Sequence, residues 1–299
     1  MSDRAYVDQR VNDVVGATAA AVSAAQSWGL SSPNVLRCGM NAIFQCGDVV
    51  LRVATPTAPA SVSIQLAEML AGEGLRVPRP VRSEALLIGG FAVTAWEHVH
   101  GVNVPIDWQA VGSMVRQVQA LPAGSLPIGL PRPSPTDFPW WDHEALLSEV
   151  GSLIDPSAAA GILTAVERHA GWRDFVGSRD LVVCHGDVHP GNVIMDIDGP
   201  VLIDWDLLCL APRGWDHAPL MTLTDRWGGE PGVYDAFADG VGWDGRGDRY
   251  AEAFAELRLV AATLMRWKVA AMNSAARPEA ERRLAYWRGD SDAPHWSAQ

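Results

Sequence analysis

Three oxygen-bearing side chains stand at spacings that suit phosphoryl chemistry. Asp187 and Asn192 lie in His185-Gly-Asp187-Val-His189-Pro-Gly-Asn192, and Asp204 lies in Val201-Leu-Ile203-Asp204-Trp205-Asp206. Asn192 follows Asp187 by five residues, and Asp204 follows Asn192 by twelve. A carboxylate such as Asp187 can orient an acceptor hydroxyl and take its proton late in transfer. Asn192 offers a neutral carbonyl oxygen and Asp204 a charged one, a pair suited to magnesium beside a triphosphate. Singly, each residue has an ordinary use, since Asp and Asn are common turn residues. Together, at this spacing, they point to transfer of a phosphoryl group from a nucleoside triphosphate. His185 reads as a scaffold that bonds nearby backbone. His185-x-Asp187-x-His189 also has the form of a zinc cluster in a metal-dependent hydrolase, but the flanking apolar strands and the placing of Asn192 and Asp204 weigh against it.

The elements that must position these residues can be read from pattern. Residues 8–27 read as a helix in which Val11, Val14, Val15 and Val22 recur. Three short strands follow, 35–38, 42–46 and 49–54, punctuated by Gly39-Met-Asn41 and Gly47-Asp48. The spacing predicts a helix over 60–73, extended chain at 77–81, and a hairpin of 86–88 and 91–96 across Gly89-Gly90. Gly101 to Pro105 reads as a connector. Helices are expected at 107–121, 143–153 and 157–170, with the Pro-rich stretch 122–139 wrapping the surface. Strands return at 181–184, 193–195 and 201–203, the last two joined at Asp198-Gly199. Helices at 213–224, 232–239, 248–272 and 278–287 complete the chain, with a loose tail after Gly289. The fold class expected is α+β, a bilobal fold with an antiparallel N-lobe over residues 1–100 and a mainly helical C-lobe over 101–299.

Bulk properties narrow the partners. The 299 residues are 48% apolar and 19% charged, enough for a real core. A net charge of -12 makes nucleic acid an unsuitable partner and favours a cationic small molecule. Lys268 is the only lysine, so no lysine can grip phosphate in the N-terminal half. Cys38, Cys46, Cys184 and Cys209 show no metal-ligand spacing and read as free thiols in a reducing cytoplasm. No secretory signal or membrane span is expected. Nothing in the pattern specifies an oligomeric state.

The block His185-Gly-Asp187-Val-His189-Pro-Gly-Asn192 with Leu202-Ile203-Asp204-Trp205-Asp206 resembles the aminoglycoside phosphotransferase and choline kinase family, a branch of the protein-kinase-like fold. A weaker likeness extends over residues 35–220. The resemblance implies ATP, or GTP as in some relatives, bound with Mg2+ between two lobes. It aligns Asp187 with the catalytic Asp and Asn192 and Asp204 with magnesium ligands. Asp216 resembles the structural Asp that opens the next helix. Gly39-Met-Asn41 resembles the turn covering the phosphates, and Arg52 takes the place of the basic residue that grips them. Trp96-Glu97-His98 falls at the hinge that binds the purine. The family's ion-pair Glu falls near Ser63, which cannot pair with a cation, so Glu68 substitutes from a shifted helix or the pair is missing.

The acceptor implied is a small hydroxyl compound, aminoglycoside-like or another antibiotic. Asp206 is a candidate to help with metal or substrate, and carboxylates of the C-lobe helices are the candidate amine ligands: Asp225, Glu230 and Glu256, with Asp235, Asp239 and Glu252 beside them. Trp215, Trp227, Trp243 and Trp267 are candidates for stacking. A metabolic kinase of choline, homoserine or sugar type fits the same motif. A nucleotide-binding pseudokinase is the alternative from another class, supported only by Ser63.

Overall fold

A computed structural model describes residues 10–177 and 180–297 of the chain. The expected helix 8–27 begins, within these, at α1 (Val14–Ser27), where the Asp13 carboxylate accepts from the Gly16 amide at 2.8 Å. Residues 8 and 9 lie outside the described residues. Ala17, Ala20, Ala21, Ala24 and Ala25 form the buried face of α1, while Val14, Val15 and Val22 are exposed. Side chains that small let the helix lie close on the sheet beneath it.

That sheet is antiparallel, with spatial order β1 (Asn34–Cys38), β2 (Ala42–Cys46), β3 (Val49–Ala54), then β5 (Phe91–Glu97) and β4 (Leu86–Ile88) at the far edge. Alternation in β2 and β3 buries Ala42, Phe44, Leu51 and Val53 against α1. Arg52 falls on the opposite face, in register with Ile43 and Thr94. Helix α2 (Ser61–Gly72) joins β3 to the extended stretch before β4. In that stretch only Pro80 bridges the sheet, opposite Trp96, so 77–81 forms no strand of its own.

The rest is mainly helical. Helices α3 (Trp108–Gln119), α4 (His143–Val150), α5 (Pro156–Arg168) and a short α6 (Trp172–Val176) precede strand β6 (Val182–Cys184). The hairpin β7 (Val193–Asp196) and β8 (Gly199–Leu202) follows, and β9 (Cys209–Ala211) returns to pair with β6. The single helix expected at 213–224 is instead a 3-10 turn and two short helices, α7 (Ala218–Met221) and α8 (Leu223–Trp227). Then come α9 (Val233–Val241), α10 (Arg249–Met272) and α11 (Arg277–Arg288). The stretch after Gly289 packs, as far as Ser297, rather than hanging loose: Trp296 is buried and its amide donates to Arg226 O. Burying an indole there outweighs the ordering of a few polar residues. No described helix is long and apolar enough to cross a membrane.

One core links the two halves. Val62, Leu66 and Leu70 of α2 pack with Val111, Val115 and Val118 of α3, Leu202 of β8 and Phe237 of α9. A second lies among α4, α5, α10 and α11, with Trp267 and Trp287 inside. Helices α3 and α9 meet at Gly112 and Gly240, whose Cα atoms face each other; a Cβ on Gly112 would collide with the backbone of Phe237 and Val241. Gly112→Val therefore forces the helices apart. Urea denaturation should show a loss of about 1–3 kcal/mol, whereas Gly124→Ala, which meets nothing within 4 Å, should be nearly silent.

Candidate active site

Strand β6 delivers His185-Gly186-Asp187 to the centre of the molecule, and the β7–β8 hairpin delivers the rest. The Ile203 amide donates to Asn192 O at 2.9 Å, so the hairpin sets Asn192 beside the chain that becomes Asp204. This closes the twelve-residue gap in sequence. Asn192 Nδ2 donates to Asp187 O at 2.9 Å and lies 3.4 Å from Asp187 Oδ2. With its amide nitrogen so engaged, the Asn192 side chain keeps its carbonyl oxygen as a donor atom for a cation. Asp204 has φ 63 and ψ 71, the single left-handed non-glycine among the described residues. Such a backbone costs of order ~1–3 kcal/mol and persists where surrounding structure enforces it.

His185 is fully buried and uses both ring nitrogens: Nδ1 accepts from the Asp187 amide at 3.2 Å, and Nε2 donates to Ile203 O at 3.0 Å. Burial holds its pKa below the usual range, against the pull of Asp216 and Asp187, which matches a neutral ring with one acceptor nitrogen. A ring so occupied has no lone pair for zinc. Among the described residues no three His, Cys, Asp or Glu side chains converge on a metal position.

Asp216 lies beneath this loop, wholly buried. Its side chain does not cap the helix that follows. Instead Oδ1 accepts from the Gly186 amide at 2.8 Å and Oδ2 from the His185 amide at 3.1 Å, with Gln119 Nε2 at 3.4 Å. Burial raises its pKa, opposed by His185 and the two amides. Gly186 has φ 91, and a side chain there would strike the Leu207 carbonyl, so only glycine fits.

Two cavities meet at this loop, and Gly191 lines both. The first, about 480 Å³, opens beneath the sheet. Asn41, Arg52, Trp96, Glu97, His98, Asp204 and Asp206 line it, and Gly39 does not. The Glu97 and His98 amides already donate to Arg79 O and Asp48 O. Asp206 thus belongs to this cleft rather than to an acceptor pocket, and it forms an ion pair with Arg52 in which both side chains are 15% exposed. Ser63 also lines the cleft, donating to Ala60 O at 2.8 Å, while Glu68 is exposed and away from its walls. Of the two alternatives, Glu68 as substitute or no helix pair, the structure gives the second: no α2 carboxylate lines the cleft, and Arg52 meets Asp206 from the C-terminal half. Arg37 lies 3.9 Å from Asp204.

The second cavity, about 720 Å³, holds Asp187 and His189 at its mouth. Asp187 pairs with Arg258 of α10 and lies 3.4 Å from His189 Nε2. Burial pushes the Asp187 pKa up, but Arg258, then His189 and His185, overcome it and hold the carboxyl well below the usual range. None of the acidic acceptor candidates reaches this cavity. Glu256 is bound by Arg168 and His169, Asp235 by Arg246, and Glu252 by the Gly247 amide, while Asp225, Glu230 and Asp239 are exposed. Scattered helix carboxylates here found cations or water. Of the four tryptophans expected to stack, only Trp227 lines it; Trp215 and Trp267 are core, and Trp243 lies under Arg213. Trp140 and Trp141 line it instead. The doublet Trp140-Trp141 was the signal, standing just past the 122–139 stretch read as surface wrapping.

A nucleotide-sized cleft under a five-stranded sheet, a second cavity in a helical half and a carboxylate loop between them define a kinase-type phosphotransferase. Residues 28–260 match the phosphotransferase enzyme family (APH), and the chain belongs to that family of small-molecule kinases. Solved structures share the fold at low identity. The spectinomycin phosphotransferase APH(9)-Ia in complex with ADP and spectinomycin is 16% identical at a TM-score of 0.66, covering 91% of this chain and 98% of that one. The GDP complex of aminoglycoside 2'-phosphotransferase-IIIa is 16% identical at 0.69, covering 93% and 99%. A choline/ethanolamine kinase family protein from Mesorhizobium loti is 17% identical at 0.62, covering 86% and 87%. No curated protein sequence matches the chain.

Asp216→Ala strips two buried amides of their acceptor at a cost of about 1–3 kcal/mol each. Expected are a lower urea midpoint and faster hydrogen exchange at the Gly186 amide. Asp216→Asn, which keeps one acceptor oxygen, should fall between wild type and alanine.

Proposed function

We propose that the chain moves the γ-phosphoryl group of ATP to a hydroxyl of a small molecule, with residues 1–100 forming the nucleotide-side lobe and 101–299 the acceptor-side lobe. The carrying observation is the shared wall at Gly191, with Asp204 on one side and Asp187 on the other. The triphosphate lies in the cleft under the sheet, where Arg52 exchanges Asp206 for phosphate oxygens. The purine rests against Trp96 to His98. With the Glu97 and His98 amides engaged, it meets the hinge carbonyls or the Val99 amide beyond them.

Asn192 and Asp204 suit magnesium, which takes one or two carboxylates and completes its shell with amide, phosphate and water oxygens. Bound there, it would supply positive charge to the phosphates. Asp187 then accepts a hydrogen bond from the acceptor hydroxyl in place of Arg258. As the new O–P bond forms, the bond from the γ-phosphorus to the β–γ bridging oxygen breaks and ADP leaves. The hydroxyl proton passes to Asp187. A carboxyl held this acidic is charged before the substrate arrives and takes the proton only late.

Acceptors of antibiotic and of metabolic type both fit this chemistry, and each has a counterpart among the similar folds. A pseudokinase reading rests on Ser63 alone, and the presence of Asp187, Asn192 and Asp204 together weighs against it. A cytoplasmic enzyme drawing on cellular ATP follows from the same reading.

Asp187→Ala should lower phosphate transfer by about 100–10,000-fold while ATP affinity stays within a few-fold. Mass gain of one phosphate across a panel of hydroxyl compounds, beside nucleotide titration, checks both. A wild type that binds ATP and phosphorylates nothing would remove the kinase reading.

A further inference from the structure

The acceptor cavity is the wrong charge for an amine. Three guanidiniums line it, Arg258, Arg266 and Arg283, against one carboxylate, Asp187. Two of the three are matched. Arg258 pairs with Asp187. Arg283 donates to Glu279 Oε1 at 3.0 Å, to Ala262 O at 2.8 Å and to Ser297 O at 2.8 Å, and lies over the Trp227 and Trp296 rings.

Arg266 is left over. Its Nε is buried with no hydrogen-bond partner, and among the described residues no carboxylate lies within ion-pair distance of it. A buried N–H with no acceptor is costly, and an anion entering the cavity would supply the missing partner. The surplus is local, since the whole chain carries a net charge of -12. A polycation would meet like charge at this wall. The remaining surface is apolar and aromatic, with Trp140, Leu223, Trp227, Met265 and Val269 prominent.

Helix α10 also sets a length. Arg258 and Arg266 are eight residues apart on the face toward the cavity, about 12 Å along the axis at 1.5 Å per residue. Arg258 marks the reacting end, because it holds Asp187.

We propose that the acceptor is an amphipathic hydroxy acid. This rests on the kinase reading and names its substrate class. The hydroxyl sits at Asp187, the apolar body lies along α10 between the tryptophans, and a carboxylate pairs with Arg266. The planar guanidinium fork matches a carboxylate in two parallel hydrogen bonds.

The test is calorimetric titration without nucleotide, using three probes of similar length: ω-hydroxydecanoate, its methyl ester and ω-aminodecanol. Wild type should bind the acid at least about tenfold more tightly than the ester and the amine most weakly, as a charge pair in a partly dry site requires. Arg266→Gln should bring the acid-to-ester ratio near one, and Arg266→Lys should keep most of it. Equal affinity for acid and ester, preference for the amine, no binding of the acid, or an unchanged ratio in Arg266→Gln would each overturn the proposal. Phosphate transfer is scored separately: a preserved acid preference with no phosphorylated product rejects the kinase reading alone.

Discussion

The buried Asp216 carboxylate is the constraint from which the site is built. It collects the amides of His185 and Gly186 and so fixes the direction in which β6 releases Asp187. His185 repeats the device one step outward, tying the Asp187 amide to Ile203 O across the hairpin. Asn192 completes it by holding Asp187 O. Three side chains thus locate the loop through hydrogen bonds to its backbone, in a buried setting where unmade bonds cost most. Gly186 and the left-handed Asp204 are the conformational concessions this arrangement needs.

Electrostatics divides the two cavities. On the sheet side Arg52 faces Asp206, and Arg37 approaches Asp204, so acidic and basic groups alternate. On the helical side arginines outnumber carboxylates and aromatic rings fill the gaps. The acidity of the whole chain therefore misleads about either cavity. Surface carboxylates such as Asp225 and Glu230 set the net charge without reaching an interior wall.

Much of the fold was legible in the sequence. Strands β2 and β3 were readable to the residue because alternation, turn glycines and a buried face agree there. Asp187, Asn192 and Asp204 stood out because their spacing is local to one loop and one hairpin. What pattern could not reveal depends on long-range pairing. Asp206 meeting Arg52, and Arg258 meeting Asp187, join residues 154 and 71 positions apart. Arg258 and Arg266 belong to no motif in the sequence, whereas the fold places both on the cavity face. The helix expected at 213–224 failed because Asp216 turns toward the His185–Asn192 loop and Pro219 restarts the chain just beyond it.

Trp296 and Ser297 carry a practical consequence. The Ser297 carbonyl steadies the Arg283 guanidinium, the Ser297 amide donates to Glu279, and the Trp296 indole meets Trp227, a residue of the cavity lining, edge to face. Cleaving the chain ahead of these residues would disturb the pocket's far rim while sparing Asp187. Preparations nicked there would then differ from intact ones in which ligands they hold, not in the loop that carries Asp187.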